Sequence, residues 1–250
     1  FTDTTDVEAL KAEINRLEDR VSKLREAAKE EAGQSARDFT GDGNRQYLTG
    51  LNLGGNRIVI LIDASASMLA DSIVNVIRLR NMDPELQRSA DKWQRALNTV
   101  DWLTSQLPIN SQYQIIAFNT EAQPILSGTA GKWLEVAAAP QLKAATEALR
   151  DRLPSGGTNL HGAFDAVGTL PGGPDNIFLI TDGLPTQSYE PPRRTTISGR
   201  DRLNLFRKAV QRLPSGVPVN IILAPMEGDP MAASEFWQLA QVSGGSFMSP

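Results

Sequence analysis

Two short apolar runs constrain the fold of this chain more than any other feature. Residues 57–63 read RIVILID and residues 176–181 read NIFLIT, and an acid ends or follows each run, at Asp63 and Asp182. A strand that is apolar at successive positions is buried on both faces, as at the centre of a parallel sheet covered by helices. The two runs therefore predict the central strands of such a sheet.

Strand and helix patterns alternate along most of the remaining chain. Further strands are predicted at 113–118, 123–126, 217–223 and 246–248, the second of them as a short edge strand. Helices are predicted at 140–153, 160–170, 201–213 and 231–242. This alternation predicts an α/β fold with a doubly wound, mostly parallel sheet, which we assign to residues 56–250.

One further helix is predicted to begin at Asp83 and Pro84. The aspartate is a favourable cap, and proline is favourable at the first helical position. The inner stripe of this helix is predicted to contain Leu86, Ala90, Trp93, Leu97, Val100 and Leu107. That spacing predicts one continuous helix packed on the sheet.

The N-terminal segment has a different pattern. Apolar residues alternate at spacings of three and four over residues 6–32, at Val7, Leu10, Ile14, Leu17, Val21, Leu24 and Ala28. This pattern predicts a helical stalk at 1–32, followed by a Gly- and Asn-rich linker at 33–55. The seam would bind another helix as a short coiled coil, or it would lie on the domain of the same chain.

Composition excludes several classes of function. The chain has no Cys and a single His, which excludes disulfides, thiolate sites and zinc sites built on several histidines. The net charge of −4 and the lack of a basic cluster argue against nucleic acid as a partner. No run of 18 apolar residues is present, so no membrane-spanning segment is predicted.

Hydroxyl and carboxyl side chains are concentrated where the central strands end. Asp63, Ser65 and Ser67 follow the first apolar run, Asp182 follows the second, and Thr158 lies in a Gly-rich loop between them. Ligands of open α/β sheets bind outside the carboxyl ends of the strands. These oxygen donors suit magnesium, manganese or calcium and disfavour zinc. We expect a divalent-cation site at a solvent-facing rim, with water and an outside ligand completing the coordination shell.

The same five residues carry a resemblance to a known family. Asp63-x-Ser65-x-Ser67, then Thr158, then Asp182 in Thr-Asp-Gly, resembles the complete metal-ion-dependent adhesion site of von Willebrand factor A (VWA) domains. The resemblance extends over residues 56–249. It implies that the three hydroxyls bind the metal, that both aspartates act directly or through water, and that a carboxylate of a protein partner takes the open position. It also implies a binding module rather than an enzyme.

Two segments near this rim would shape the partner surface. Met68–Met82 has helical apolar spacing and predicts an added helix at the rim. Leu184–Gly199 follows Asp182 directly and carries Arg193 and Arg194, so we expect this loop beside the metal.

Two other classes of function stay open from the sequence. A Ser-dependent hydrolase would use Ser65 or Ser67 with His161 and Asp182, although neither serine lies in a Gly-x-Ser-x-Gly motif. A structural oligomerisation protein would act through the stalk at 1–32.

Localisation is suggested only indirectly. The chain begins at Phe1 rather than Met, and we expect any signal peptide or membrane anchor upstream of it. A charged helix ahead of the domain favours the extracytoplasmic face of a membrane, with a cytoplasmic location as the alternative.

Overall fold

A seven-stranded sheet forms the centre of the domain. The computed structural model describes residues 16, 20, 23, 51, 53–191 and 196–249. Its strands are β1 (Arg57–Asp63), β2 (Gln112–Phe118), β3 (Ala122–Pro124), β4 (Leu134–Glu135), β5 (Asn176–Thr181), β6 (Val219–Leu223) and β7 (Phe247–Met248). Its α-helices are α1 (Ile73–Leu79), α2 (Pro84–Arg88), α3 (Asp91–Ser105), α4 (Ala139–Arg150), α5 (Leu160–Gly168), α6 (Gly199–Val210) and α7 (Ala232–Ser243).

The order of the strands confirms a mostly parallel, doubly wound sheet. The order is β3-β2-β1-β5-β6-β7, and β4 pairs with the same edge of β2 as β3 does. All pairs are parallel except those of β2 with β3 and with β4. The two apolar runs are therefore adjacent central strands, as predicted.

Side chains of β1 alternate between two hydrophobic cores. Ile58, Ile60 and Ile62 pack in the core shared with α3 and α4. Val59 and Leu61 pack in the core shared with α5, α6 and α7. This alternation explains why the strand is apolar at successive positions, since helices cover both faces of the sheet.

The single helix predicted from Asp83 to Leu107 is wrong, because the chain forms two helices there. Helix α2 ends at Arg88, and Ala90 is extended, with φ −58° and ψ 128°, before α3 begins at Asp91. The side chain of Gln94 donates to the Arg88 carbonyl at 2.6 Å, an acceptor that a continuous helix would have paired with a backbone amide. Leu86, predicted to be inward, is consequently 49% exposed.

The other elements agree with their predicted positions, with ends displaced by a few residues. Residues 68–82 contain the expected added helix, α1, which follows a short 3₁₀ turn at Ala66–Leu69. No helix among the described residues is long and apolar enough to cross a membrane.

The chain divides into two compact units, Phe1–Ser35 and Ala36–Pro250. In the first unit the described residues are Arg16, Arg20 and Lys23, each helical and exposed. The apolar seam predicted at 6–32 lies outside the described residues, so the coiled-coil hypothesis stays a prediction. In the second unit, Leu51 is part of the core that contains Ile60, and Leu53 packs against that core.

Candidate metal-binding site

The topology of the sheet opens a crevice between β1 and β5. Strand β2, which follows β1 in the chain, pairs with one edge of β1, and β5 pairs with the other edge. At such a switch point the connections from adjacent strands run in opposite directions, which leaves space at the carboxyl ends. Asp63 ends β1 and Asp182 follows β5 directly. Both residues therefore lie at the carboxyl ends of these two adjacent strands.

Asp63 is fully buried at the base of the site. Its Oδ1 accepts a hydrogen bond from the Ser65 amide at 2.8 Å, and its Oδ2 accepts one from the Thr181 hydroxyl at 2.8 Å. Burial, followed by the nearby negative charge of Asp182, raises the pKa of Asp63 to about 7 against the opposing effect of the side chain and amide of Ser65 and the hydroxyl of Thr181. This carboxylate lacks a neighbouring positive charge strong enough to offset its desolvation.

The hydroxyls of Ser65 and Ser67 connect this region to Asp182. Their Oγ atoms are 2.9 Å apart, and the Ser67 hydroxyl donates to Asp182 Oδ1 at 3.1 Å. Four of the five predicted ligand residues, Asp63 included, are thus joined by direct hydrogen bonds. The four come from two segments more than a hundred residues apart in sequence.

The Gly-rich loop that carries Thr158 is bound to the serine segment through its backbone. The Ser155 amide donates to the Ala64 carbonyl at 2.9 Å, and the Ala66 amide donates to the Gly156 carbonyl at 3.1 Å. These bonds fix the Gly-rich loop against the segment that carries the two serines. Thr158 is 4% exposed, and within the described part of the chain no hydrogen bond is found for its hydroxyl. That hydroxyl is consequently available to a ligand.

The segment after Asp182 holds Thr158 in place. The Thr158 amide donates to Thr186 Oγ1 at 2.9 Å, while the Thr186 and Gln187 amides donate to the Thr158 carbonyl at 3.0 and 3.2 Å. A side chain at Gly157 would lie 2.8 Å from both Thr186 Oγ1 and Gln187 Oε1, so the close approach requires glycine there. The first part of the loop predicted at 184–199 therefore lies beside Thr158.

The backbone just after Asp182 has its own buried support. The Leu184 amide donates to Asp229 Oδ2 at 2.7 Å, and the Arg202 guanidinium pairs with the same carboxylate at 2.7 Å. Arg202 also donates to the Leu184 carbonyl. A Cβ at Gly183 would lie 2.7 Å from Asp229 Oδ2, so glycine lets the turn pack on this ion pair. Arg193 and Arg194, expected near the metal, lie outside the described residues.

Lys92 is the residue that sequence reasoning missed. Its side chain is 1% exposed, and its ammonium group donates to Asp182 Oδ2 at 2.8 Å, to the Ser67 carbonyl at 3.1 Å and to the Ala70 carbonyl at 3.2 Å. Near the start of a helix a lysine is ordinarily a surface residue. Its spacing was nevertheless a signal, since Lys92 lies four and eight positions before Ala96 and Val100, both buried on the inner face of α3.

The expectation of a solvent-facing rim needs correction. Asp63, Ser65, Asp182 and Thr158 are all at most 4% exposed, and only Ser67 is partly exposed. The Ser65 amide and the Thr181 hydroxyl contact the carboxylate of Asp63, and the Ser67 hydroxyl and the Lys92 ammonium group contact that of Asp182, so these groups take the place of solvent.

The donors in this site suit a hard divalent cation. Two carboxylates and three hydroxyls supply only oxygen atoms, which magnesium, manganese and calcium prefer. Among the described residues no group of three or more His, Cys, Asp or Glu forms a conventional metal cluster, so the hydroxyls are needed to complete a ligand set. The raised pKa of Asp63 also fits a cation, whose charge would favour the ionised carboxylate.

His161 belongs to a different cluster. The Arg212 guanidinium donates to its Nε2 at 2.9 Å, Asp165 lies 3.5 Å from the same atom, and the ring of Tyr189 contacts the imidazole edge-on. Within the described part of the chain no hydrogen bond joins His161 to Ser65 or Ser67. The arrangement offers no support for a Ser-His-Asp triad.

Comparisons with known proteins agree with this fold. The sequence model of the von Willebrand factor type A domain family matches residues 58–184. No curated protein matches the chain in sequence. A von Willebrand factor type A protein from Catenulispora acidiphila has a similar structure, with 20% identity and a TM-score of 0.49 over 79% of this chain and 39% of that one. This chain therefore spans well under half of that protein's length.

Two further solved structures show the same likeness. The conserved hypothetical protein BatB from Bacteroides thetaiotaomicron has 16% identity and a TM-score of 0.47 over 78% of this chain and 90% of that one. Proximal thread matrix protein 1 from the mussel byssus, described with a zinc-occupied MIDAS motif, has 16% identity and a TM-score of 0.44 over 78% of this chain and 43% of that one.

Proposed function

We propose, from the premise that this chain belongs to the von Willebrand factor type A domain family, that its domain binds one divalent cation and uses the ion to capture a carboxylate of a protein partner. Domains of this family are typically protein-interaction modules and are generally not enzymes. The proposal adds to that general role a particular metal site and the chemistry of its ligand.

One observation carries the proposal. The oxygen atoms of Ser65, Ser67 and Asp182 form a continuous chain, with separations of 2.9 and 3.1 Å, above the buried Asp63. The ammonium group of Lys92 offsets only one of the two buried carboxylate charges, and the remaining charge is expensive to bury without a further cation. A divalent ion would offset the charge of both aspartates and use the hydroxyls as ligands.

Each residue has a distinct role in this proposal. Ser65, Ser67 and Thr158 would offer hydroxyl oxygens, while Asp63 and Asp182 would bind the ion directly or through water. Magnesium is the first choice, with manganese or calcium as alternatives, because hard cations select oxygen ligands and magnesium retains waters. When bound, the ion supplies a positive charge that attracts an anionic ligand.

The partner follows from the same chemistry. Two aspartates balance the formal charge of a divalent ion, but a hard cation still attracts further anionic ligands. The open coordination position therefore favours a third carboxylate over a neutral ligand. An Asp or Glu side chain on a protein surface provides that group. No observation favours the Ser hydrolase, since His161 is engaged by Arg212 and Asp165.

Metal binding is tested by calorimetric titration of chelator-treated protein with Mg²⁺, Mn²⁺ and Ca²⁺. We expect Ser67→Ala to weaken binding by about tenfold or more, because a hydrogen bond or ligand to a charged centre contributes roughly 1.5–3 kcal/mol. Ser89→Ala is the matched control, since it removes an exposed serine hydroxyl outside the site. Equal metal affinity in Ser67→Ala and wild-type protein would refute the site.

Carboxylate capture is tested separately. Proteins retained by the immobilised wild-type domain in Mg²⁺ and released by chelator should not be retained by Ser67→Ala. Free acetate should compete with them, whereas an equal concentration of chloride should not. Retention that survives chelation would show that the domain binds partners through another surface. Covalent labelling of Ser65 or Ser67 by a fluorophosphonate would instead support the hydrolase.

A further inference from the structure

Lys92 is buried where a lysine is rarely found. Its side chain is 1% exposed, and its three acceptors all belong to the segments that form the metal site, namely Asp182 Oδ2, the Ser67 carbonyl and the Ala70 carbonyl. A buried ammonium group normally requires such a complete set of partners. The lysine is thus built into the site rather than placed near it by chance.

A second cation on the same helix shows the contrast. Arg95 pairs with Asp71 at 3.0 Å, but both side chains are about 60% exposed. Water screens that pair, so it contributes little to any property of the domain. The Lys92–Asp182 pair is 1% and 3% exposed, and its charges act on each other and on a bound ion at low effective dielectric.

We propose that Lys92 is a fixed counter-cation of the metal site. The lysine holds Asp182 in place when no metal is bound, and it makes tight metal binding depend on an added carboxylate ligand. The first part concerns the metal-free protein alone. The second part rests on the proposed function, because it assumes that a divalent ion binds beside Asp182.

The metal-free site needs such a cation. Hydrogen bonds through Ser65 and Ser67 link Asp63 to Asp182, and both aspartates are at least 97% buried. Lys92 binds Asp182 Oδ2 and leaves Oδ1 to accept from Ser67. Asp182 therefore keeps one oxygen directed toward the serine hydroxyls before any metal arrives.

The loaded site changes its charge because of Lys92. Two ionised aspartates balance the charge of a divalent ion. The ammonium group of Lys92 then adds one excess positive charge to the site. Like charges repel strongly in a buried site, so Lys92 weakens binding of the ion alone. A carboxylate ligand removes the excess charge, and metal and ligand therefore bind cooperatively.

The experiment compares wild-type protein with Lys92→Met, which keeps an unbranched side chain of similar length and removes the charge. Arg95→Met is the matched control on the same helix. Mg²⁺ and Mn²⁺ affinities are measured by calorimetry in sodium acetate and in sodium chloride at equal ionic strength. Chemical denaturation in chelator measures the stability of the metal-free protein.

We expect three results for Lys92→Met. In chloride, its metal affinity rises by about tenfold or more, because the repulsion is removed. Acetate strengthens metal binding in the wild type but much less in Lys92→Met. Without metal, the variant is less stable, and adding Asp182→Asn restores stability, since both partners are then neutral. Arg95→Met should match the wild type in all three measurements.

The outcomes separate this inference from the proposed function. If wild-type protein binds no divalent ion, the proposed function fails, while rescue of Lys92→Met by Asp182→Asn still supports the counter-cation in the metal-free protein. If Lys92→Met folds and binds metal no more tightly than the wild type, the inference is overturned. If the variant folds only when Mg²⁺ is added, the ion has replaced the lysine and the inference is supported. If neither Mg²⁺ nor Asp182→Asn restores folding, Lys92 is a packing residue and the inference is wrong.

Discussion

The carboxyl group of Asp63 should make the stability of the metal-free domain depend on pH. Its pKa is raised from the ordinary value of 3.8 to about 7, chiefly by burial and then by the charge of Asp182. At pH 5 the folded protein therefore holds a proton on Asp63 that the unfolded chain has lost. Folding is coupled to proton uptake between these two pKa values.

The sign of the effect follows from this coupling. A pKa that is higher in the folded state stabilises folding fully below the unfolded pKa, near 3.8, and this contribution disappears as the pH rises through about 7. The slope is at most about 1.4 kcal/mol per pH unit, the free energy of one proton. Between pH 5 and pH 7.5 the metal-free protein should thus lose roughly 2–3 kcal/mol of stability through Asp63.

The assay is urea denaturation in chelator at a series of pH values, with Asp63→Asn as the comparison. An amide has the shape of the protonated acid and does not titrate, so the variant should lack this slope while keeping the pH dependence of all other groups. The difference between the two proteins isolates Asp63. Divalent metal should reverse the trend, because the ion requires the ionised carboxylate and binds more tightly as the pH approaches 7.

Parallel pH profiles for the wild type and Asp63→Asn would refute this reasoning. They would mean that Asp63 remains ionised in the folded protein at pH 5 and that its two hydrogen bonds outweigh its burial. Metal affinity independent of pH between 5 and 7 would lead to the same conclusion.

Four further outcomes are expected. Asp182→Ala should cost about 3–5 kcal/mol of stability in chelator, because it leaves Lys92 buried without its carboxylate; equal stability in denaturation experiments would contradict this. Thr158→Val should lower Mg²⁺ affinity by about tenfold with little change in metal-free stability, since valine keeps the shape and removes one ligand. Thr186→Val should lower both the Mg²⁺ affinity and the metal-free stability, because the buried Thr158 amide loses its acceptor at a cost of about 1–3 kcal/mol. An unchanged melting temperature would show that water replaces the hydroxyl. A peptide of residues 1–38 should not form a stable parallel dimer in sedimentation experiments at low salt, since like charges would face each other across the predicted seam.

The sequence by itself determined the central strands and the residues at their ends. Runs such as 57–63 are apolar at every position because the strand is buried on both faces, and that requirement is visible without any tertiary information. The candidate ligands could be found because they follow these strands directly, where open α/β sheets bind ligands. Position relative to these strands was sufficient to identify Asp63, Ser65, Ser67 and Asp182 as candidate ligands.

Only the tertiary structure decided how those residues are held and how deeply they lie. The ion pair of Lys92 with Asp182 joins residues 90 positions apart, and the contact of Thr158 with Thr186 joins residues 28 positions apart. A lysine at a helix start satisfies local propensity whether it faces solvent or the core. Its burial depends on the contacts of α3 with the segments that follow β1 and β5. The break at Ala90 was likewise not visible in the sequence, because helical spacing of apolar residues continues through it. Local pattern fixes which residues are available, whereas contacts between distant segments set their charge balance and their exposure.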